Sequence, residues 1–344
     1  MFVGVLEKLQ RREDLTSQEA AAAMGEIMEG RATPAQIAGF LIGLALKGER
    51  PPEIVGIAQT MKAHAVKLSR PFPGAFDTCG TGGDRAQTFN ISSSAALVVA
   101  SCGVTVAKHG NRSVSSRCGS ADVFEALGVN VAAPPAVVER CLESANIAFL
   151  FAPTFHPAMR HAAQARRELG VRTAFNLLGP LTNPVNAERQ IVGVPRPELT
   201  ELVARALALL GSARAWVVHG ADGLDEISTT GYSKISECRD GLVNTFYVHP
   251  SDYGLAKAQL FELQGGDASA NAQAVKRLLA GERGAPRDIV LLNAGAALFV
   301  AGSAASVQDG IRVATEAVDS GRAAGTLAKL VDCSQVPVAG EVAT

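Results

Sequence analysis

Three short stretches of the chain carry residues whose types and spacing can do chemistry. Gly80-Thr81-Gly82-Gly83-Asp84 follows the apolar pair Ala75-Phe76 and precedes Asn90-Ile91-Ser92-Ser93-Ser94 and a long apolar run. Glycines let backbone N–H groups turn toward a ligand with no Cβ in the way, and the first turn of a helix adds unpaired N–H groups and the positive end of its dipole. That is anion-binding chemistry with a phosphate or pyrophosphate as its natural guest, although the same residues can also form a plain strand-to-helix turn. A P-loop would close on Gly-Lys-Ser/Thr where this chain has Asp84-Arg85-Ala86, and a dinucleotide fingerprint would need its third glycine at Arg85. The second stretch, Ala107 to Asp122, gathers Lys108, His109, Arg112 and Arg117 among hydroxyls and glycines after the apolar run Gly103 to Ala107. A strand running into a basic loop fits a second anion-binding wall, and taken alone fits a solvated surface loop as well. The third is Asp225-Glu226, adjacent like charges that must be either solvated or bridged by a cation.

Taken together, these stretches resemble the anthranilate phosphoribosyltransferase family, of the nucleoside-phosphorylase-like phosphoribosyltransferase class. The resemblance runs through Asp77 to Asp84, Thr88 to Ser92, Lys108 to Ser116, Gly119 to Asp122, His156 to Met159, Arg172-Thr173, Phe175 to Pro184 and Gly223 to Glu226, in the family's order across most of the chain. Its most specific parts are Lys108-His109-Gly110-Asn111-Arg112 and Asn176-Leu177-Leu178-Gly179-Pro180-Leu181-Thr182-Asn183-Pro184. It implies transfer of phosphoribosyl from phosphoribosyl pyrophosphate (PRPP) to the amine of anthranilate, a step of tryptophan biosynthesis that also releases pyrophosphate, with Mg²⁺ as cofactor.

The resemblance also implies a site. Gly80, Gly83, Asp84, Thr88, Asn90, Ser92, Ser93, Lys108 and Ser120 would hold the donor, with glycine amides and Lys108 on its phosphates and Asp84 on a hydroxyl or bound water. Ser93 stands where many relatives carry threonine, and keeps the hydroxyl. Ser92, Asp225 and Glu226 would contact Mg²⁺, which commonly takes one or two carboxylates together with water and phosphate oxygens. Gly80, His109, Asn111, His156, Met159, Arg166, Gly179 and Pro180 would surround anthranilate, Arg166 meeting its carboxylate and Asn111 orienting its amine. Charge builds on departing pyrophosphate while the ribose becomes cation-like, so stabilising the leaving group matters most. An arylamine can lose its proton after bond formation; no general base or nucleophile is assigned, although His109 and His156 are of a type that titrates near neutrality.

Bulk properties set limits on other readings. With 344 residues, 47% of them hydrophobic, the chain can bury more than one core, since single cores stop growing at about 250–300 residues. A formal net charge of -1 provides no global field for nucleic acid, so any anion must be held by local groups. This argues against a non-enzymatic nucleic-acid-binding relative on the same fold, while Lys108 to Asn111 and Arg166 argue against a pyrimidine nucleoside phosphorylase. The six cysteines are scattered with no Cys-x-x-Cys pair, which reads as reduced thiols and argues against zinc. The first residues soon meet Glu7, Lys8 and Arg11, unlike a signal peptide, and apolar runs such as Ile37 to Leu46 are too short for a membrane span. The expectation is a cytoplasmic enzyme with no membrane and no nucleic-acid partner.

These side chains need elements to position them. Residues 1–72 read as a small helical lobe, with helix starts at Thr16 with Glu19, Thr33-Pro34 with Gln36, and Pro51-Pro52. Its stripe of Ile37, Phe40, Leu41, Leu44 and Ala45 reads as core or as a subunit interface, and the family implies a homodimer. Ser69 to Gly74 reads as a linker. Residues 75–335 then read as a larger α/β lobe with a mostly parallel central sheet, its strands near 75–78, 103–107, 128–132, 147–151, 190–194 and 214–218. The resemblance adds that helices from about 157–189 return to the helical lobe, leaving the site in the cleft between lobes. Residues 336–344 read as a flexible tail.

Overall fold

The computed structural model describes residues 2–84, 86–113 and 117–335, so the expected tail lies outside the described residues. Four helices open the chain: α1 (Phe2–Gln10), α2 (Ser17–Met28), α3 (Pro34–Lys47) and α4 (Pro51–Ala63). Two of them start on reciprocal caps. Thr16 Oγ1 accepts from Glu19 N at 3.1 Å while Glu19 accepts from Thr16 N at 2.9 Å, and Thr33 with Gln36 repeats the arrangement. Ile37, Phe40, Leu41 and Leu44 of α3 are wholly buried within the lobe, which makes that stripe core; Ala45, at its end, is exposed.

The α/β region runs β1 (Phe76–Asp77), α5 (Ile91–Ser101), β2 (Val106–Gly110), α6 (Ser120–Ala126), α7 (Pro135–Ala145), β3 (Ile147–Phe151), α8 (Ala152–Phe155) and α9 (Arg160–Leu169). It continues with β4 (Arg189–Gly193), α10 (Leu199–Leu209), β5 (Arg214–Gly220), β6 (Ser233–Arg239), β7 (Leu242–Val248), α11 (Ala268–Leu279), α12 (Ala285–Ala301), α13 (Val307–Asp319) and α14 (Arg322–Gln335). The strands form one sheet in the order β3-β2-β1-β4-β5-β6-β7. Its first five strands are parallel, and β6 and β7 run antiparallel. The mostly parallel sheet agrees with the sequence pattern, whereas the closing hairpin is an addition to it. Its two-residue turn is Asp240-Gly241, both at positive φ (51° and 77°), the geometry that matches strand twist in a tight hairpin.

The strand expected at 128–132 does not form. Val129 and Val131 are buried, as an apolar run should be, but Val129 N donates back to Phe124 O at 2.9 Å. That amide closes the end of α6 and is no longer available to a sheet neighbour.

Two cores result. One fills the sheet's face beneath α5, α7, α12 and α14, with Phe76, Phe124 and Leu292 among its members. The other joins α1 to α4 with Ala162 and Ala165 of α9, Phe175, Leu178, Val203 of α10, and Val192 and Val217 from β4 and β5. The segment after α9 thus packs on the N-terminal helices, bringing residues 156–181 over the C-terminal ends of the parallel strands, where open α/β sheets bind ligands. Among the described residues no helix is long and apolar enough to cross a membrane.

Candidate active site

The glycine loop leaves β1 and enters α5. Gly83 sits at φ 88°, and a Cβ there would fall on the guanidinium of Arg172, whose Nη2 donates to Thr81 O at 3.2 Å. Thr81 N donates to Gly193 O at 2.8 Å, fastening the loop to the end of β4. At the start of α5, Asn90 does not cap its own helix with its side chain. Its Oδ1 accepts from Asn271 Nδ2 at 2.9 Å. Ser92 N donates instead to Glu226 Oε1 at 3.0 Å. Ser93 is buried one residue further, and Thr88 bridges to Gln264.

The second basic stretch lies alongside. Lys108 is buried, and its Nζ donates to Thr78 O at 2.8 Å and to Thr78 Oγ1 at 3.1 Å, so its charge secures the root of the glycine loop. The backbone of His109 donates to Asp77 Oδ1 at 3.2 Å, and Asn183 Nδ2 bonds both Asp77 Oδ2 (2.7 Å) and Ala107 O (2.8 Å). Burial pushes the Asp77 carboxyl up to about 6 against the pull of Lys108. Ser120 opens α6 with its hydroxyl donating to Asn111 O at 3.3 Å, and Asn111 itself is exposed.

Asp225 and Glu226 follow β5 and are half-buried facing Ser92 and Asp84. Desolvation pushes Glu226 up to about 8, with the charge of Asp225 adding to it, and pushes Asp225 up to about 7, with Asp84 adding to it. Asp84 is raised too, again chiefly by burial. Gly193 permits the approach: a Cβ there would strike the backbone carbonyl of Asp225. Thr78, Gly80, Ser92, Gly193, Asp225 and Glu226 line a cavity of about 10 Å³, room for one water-sized body. Carboxyls whose affinity for protons is raised by burial and by a neighbouring carboxyl charge fit a divalent cation well. Mg²⁺ commonly takes one or two carboxylates and keeps water and substrate oxygens in the rest of its shell.

Across the cleft, His109 Nδ1 donates to Gly179 O at 2.8 Å, and its Nε2 has no hydrogen-bond partner among the described residues. The ring of His156 lies 5.1 Å away, centroid to centroid. Burial pulls His109 down to about 4 and His156 down to about 3, the second helped by the first, so both are neutral at pH 7. Met159 is half-buried in the turn Pro157–Met159. Pro180, in the turn Gly179–Leu181, is buried and lines a separate cavity of about 270 Å³ together with Lys62 and Asn183. Arg166 and Arg167 are exposed on α9, and the Arg166 guanidinium lies 5.8 Å from the Phe175 ring centroid. The structure therefore gathers Gly80, Ser92, Asp225 and Glu226 into one cluster and His109, His156 and Gly179 into another.

Comparison with known proteins fits this geometry. Residues 73–324 match the model of the glycosyl transferase family, a/b domain, and residues 3–65 that of the same family's helical bundle domain. An anthranilate phosphoribosyltransferase of Moorella thermoacetica is 54% identical over 331 residues, 96% of this chain and 98% of that one. The chain belongs to the anthranilate phosphoribosyltransferase family. The enzyme of Thermus thermophilus superposes with a TM-score of 0.91 at 43% identity, covering 96% of this chain and 99% of that one. The enzyme of Saccharomyces cerevisiae in complex with PRPP and Mg superposes with a TM-score of 0.88 at 28% identity, covering 97% of each chain.

For a member of the anthranilate phosphoribosyltransferase family, four residues at the site receive no role from the sequence alone. Asp77 and Asn183 tie β1, β2 and the turn after Leu181 into one buried knot; both lie inside the resembling stretches without an assigned task. Arg172, also within them, reaches the glycine loop from the segment after α9. Asn293 pins the chain just after Glu226, its Oδ1 accepting from Ile227 N at 3.0 Å and its Nδ2 donating to Ile227 O at 2.8 Å. A signal for it exists in the sequence: a lone amide in the apolar run Ile289 to Val300 must find buried partners.

Proposed function

We propose that this chain transfers the phosphoribosyl group of PRPP to the amine of anthranilate, giving N-(5-phosphoribosyl)anthranilate and pyrophosphate. One observation carries the reading: the glycine loop, the start of α5 and the Asp225-Glu226 pair meet around a single ion-sized cavity. Asp225, Glu226 and the Ser92 hydroxyl, with Asp84 beside them, would hold Mg²⁺, which supplies charge neutralisation for the departing pyrophosphate. Gly80 and Gly83 leave the loop's backbone open to the diphosphate. Thr88, Asn90, Ser93 and Ser120 offer hydroxyl and amide groups around the donor. Lys108 acts from behind the loop, where it holds Thr78 and sets a positive potential near the phosphates.

The acceptor reading places anthranilate against His109, His156, Met159, Gly179 and Pro180, with Asn111 at the amine and Arg166 at the carboxylate. Neutral imidazoles suit an aromatic ring without adding charge beside a cation-like ribose. The attacking amine sheds its proton after bond formation, so no side chain need act as a base. We further propose a cytoplasmic homodimer formed through the helical lobe, where Val3 and Leu46 are 61% and 75% exposed; sedimentation tests the assembly. Incubation with PRPP, Mg²⁺ and anthranilate tests the activity. Anthranilate fluorescence should decay only when all three are present, and no decay with well-folded protein overturns the reading.

A further inference from the structure

Cys141 of α7 and Cys333 of α14 stand 192 positions apart in sequence, yet their sulfur atoms lie 2.6 Å apart. Unbonded carbon atoms settle at about 3.5–4.0 Å, and a disulfide bond is about 2.05 Å long, so this separation is closer to a bond than to a contact. α14 is held against α7 and the segment before it through bonds that do not involve sulfur. Arg140 Nη2 donates to Cys333 O at 2.9 Å, Asn130 N donates to Ser334 Oγ at 3.0 Å, and Gln335 Nε2 donates to Gly128 O at 2.8 Å. Cys141 is buried and Cys333 is partly exposed, so one thiol is reachable and the other waits behind it. Neither lies on an element that carries the proposed substrate groups.

We propose that Cys141 and Cys333 form a reversible oxidation site in which a peroxide closes a disulfide that staples α14 to α7. Cys333, the reachable thiol, attacks the peroxide; the O–O bond breaks, giving a sulfenic acid and, from hydrogen peroxide, one water. The Cys141 sulfur then attacks the Cys333 sulfur, the S–S bond forms, the S–O bond breaks and a second water leaves. The two thiols together lose two electrons and two protons, and the peroxide is reduced. A dithiol reductant reverses the step by exchange. Burial holds the Cys141 thiol in its protonated form, which makes it the slow, resolving partner. The bond closes a very long loop of the unfolded chain, so it stabilises the fold with little effect on the site.

The test uses the full chain with hydrogen peroxide and, separately, with diamide, which removes two electrons without delivering oxygen. Either reagent should consume two of the six thiols, yield a Cys141–Cys333 linked peptide in a non-reducing digest, and raise the melting temperature by several degrees; dithiothreitol should restore the starting state. Cys333→Ser should give neither the linked peptide nor the rise. Cys102 is the control, a half-buried thiol whose sulfur lies against Val313 O. Six thiols surviving both reagents, a Cys333 that goes on to sulfinic acid unlinked, or linkage of Cys333 to another cysteine overturns the proposal.

Discussion

At the scale of single residues, the Asp225-Glu226 pair carries the sharpest consequence. Two half-buried carboxyls whose proton affinity is raised by burial, and for Glu226 also by the charge of Asp225, suit a cation, and amides in their place lose the carboxylate charge while keeping the shape. Asp225→Asn with Glu226→Gln is expected to fold and to melt, without metal, no lower than the parent. Mg²⁺-supported turnover should fall by about two orders of magnitude or more. An unchanged Mg²⁺ titration and kcat would remove the pair from the metal site. Arg166 is the residue proposed for the acceptor. A charge-assisted contact is worth about 1.5–3 kcal/mol, and exposure on α9 places this one at the lower end, so Arg166→Ala should raise the anthranilate KM by about tenfold and leave PRPP affinity nearly unchanged. Arg167→Ala should shift neither parameter, and Arg166→Lys should recover part of the loss because a point charge cannot reproduce a planar fork. If Arg167 proves the sensitive position, the pocket lies on another face of α9.

At the scale of elements, the glycine loop brings its backbone close to Asp225 and Arg172, where an added Cβ at Gly80 or Gly83 would press on their side chains. Gly83→Val imposes a left-handed conformation on a β-branched residue, costing about 1–2 kcal/mol, and pushes Arg172 away from Thr81. Calorimetry is expected to show PRPP binding weakened by at least about tenfold with the helical signal retained; unaltered affinity would mean that the loop does not cradle the diphosphate. Which elements were legible follows from how local their causes are. The starts of α2 and α3 were readable because each cap is a bond between residues three apart. The β6–β7 hairpin carries an equally local signal in Asp240-Gly241, but Ser233 to Arg239 mixes charges and hydroxyls and shows no apolar run to mark a strand. The apolar run at 128–132 misled in the reverse direction: burial is shared by strands and by the tight ends of helices, and only the partner of Val129 N tells them apart.

At the scale of the whole molecule, the junction of the two cores should be acid-sensitive. His109 belongs to β2, His156 precedes the segment that returns to the helical lobe, and both are held neutral at about 4 and about 3, below the usual value near 6.5. Unfolding exposes them to protonation at that usual value, so the stability they contribute is present above pH 6.5 and is lost as pH falls toward 4, each tenfold difference in proton affinity between the folded and unfolded chain being worth about 1.4 kcal/mol. Asp77, pushed up to about 6, acts in the opposite sense, its contribution being present below its usual 3.8 and lost as pH rises through 6. His156→Phe keeps an aromatic ring without a titrating group. Its melting temperature should fall less steeply than the parent's between pH 6.5 and 4.5; equal slopes would show that His156 protonates as readily folded as unfolded.

Legible along the chain are the glycine loop, the capped helices, the alternation of strand and helix, and the residues through which the family is recognised. All of these rest on bonds or patterns spanning a few neighbours, or on motifs kept in one order along the chain. Only the tertiary structure decided that Glu226 accepts from the start of α5, 134 positions away, that Asn183 reaches back to Asp77, and that Cys141 meets Cys333. It also decided that the α3 stripe is core and that Lys108 bonds the loop's root. The physical reason is the same in each case. A buried carboxyl, amide or ammonium takes whichever partner packing brings within about 3 Å, and which partner that is depends on how helices and sheet close on one another.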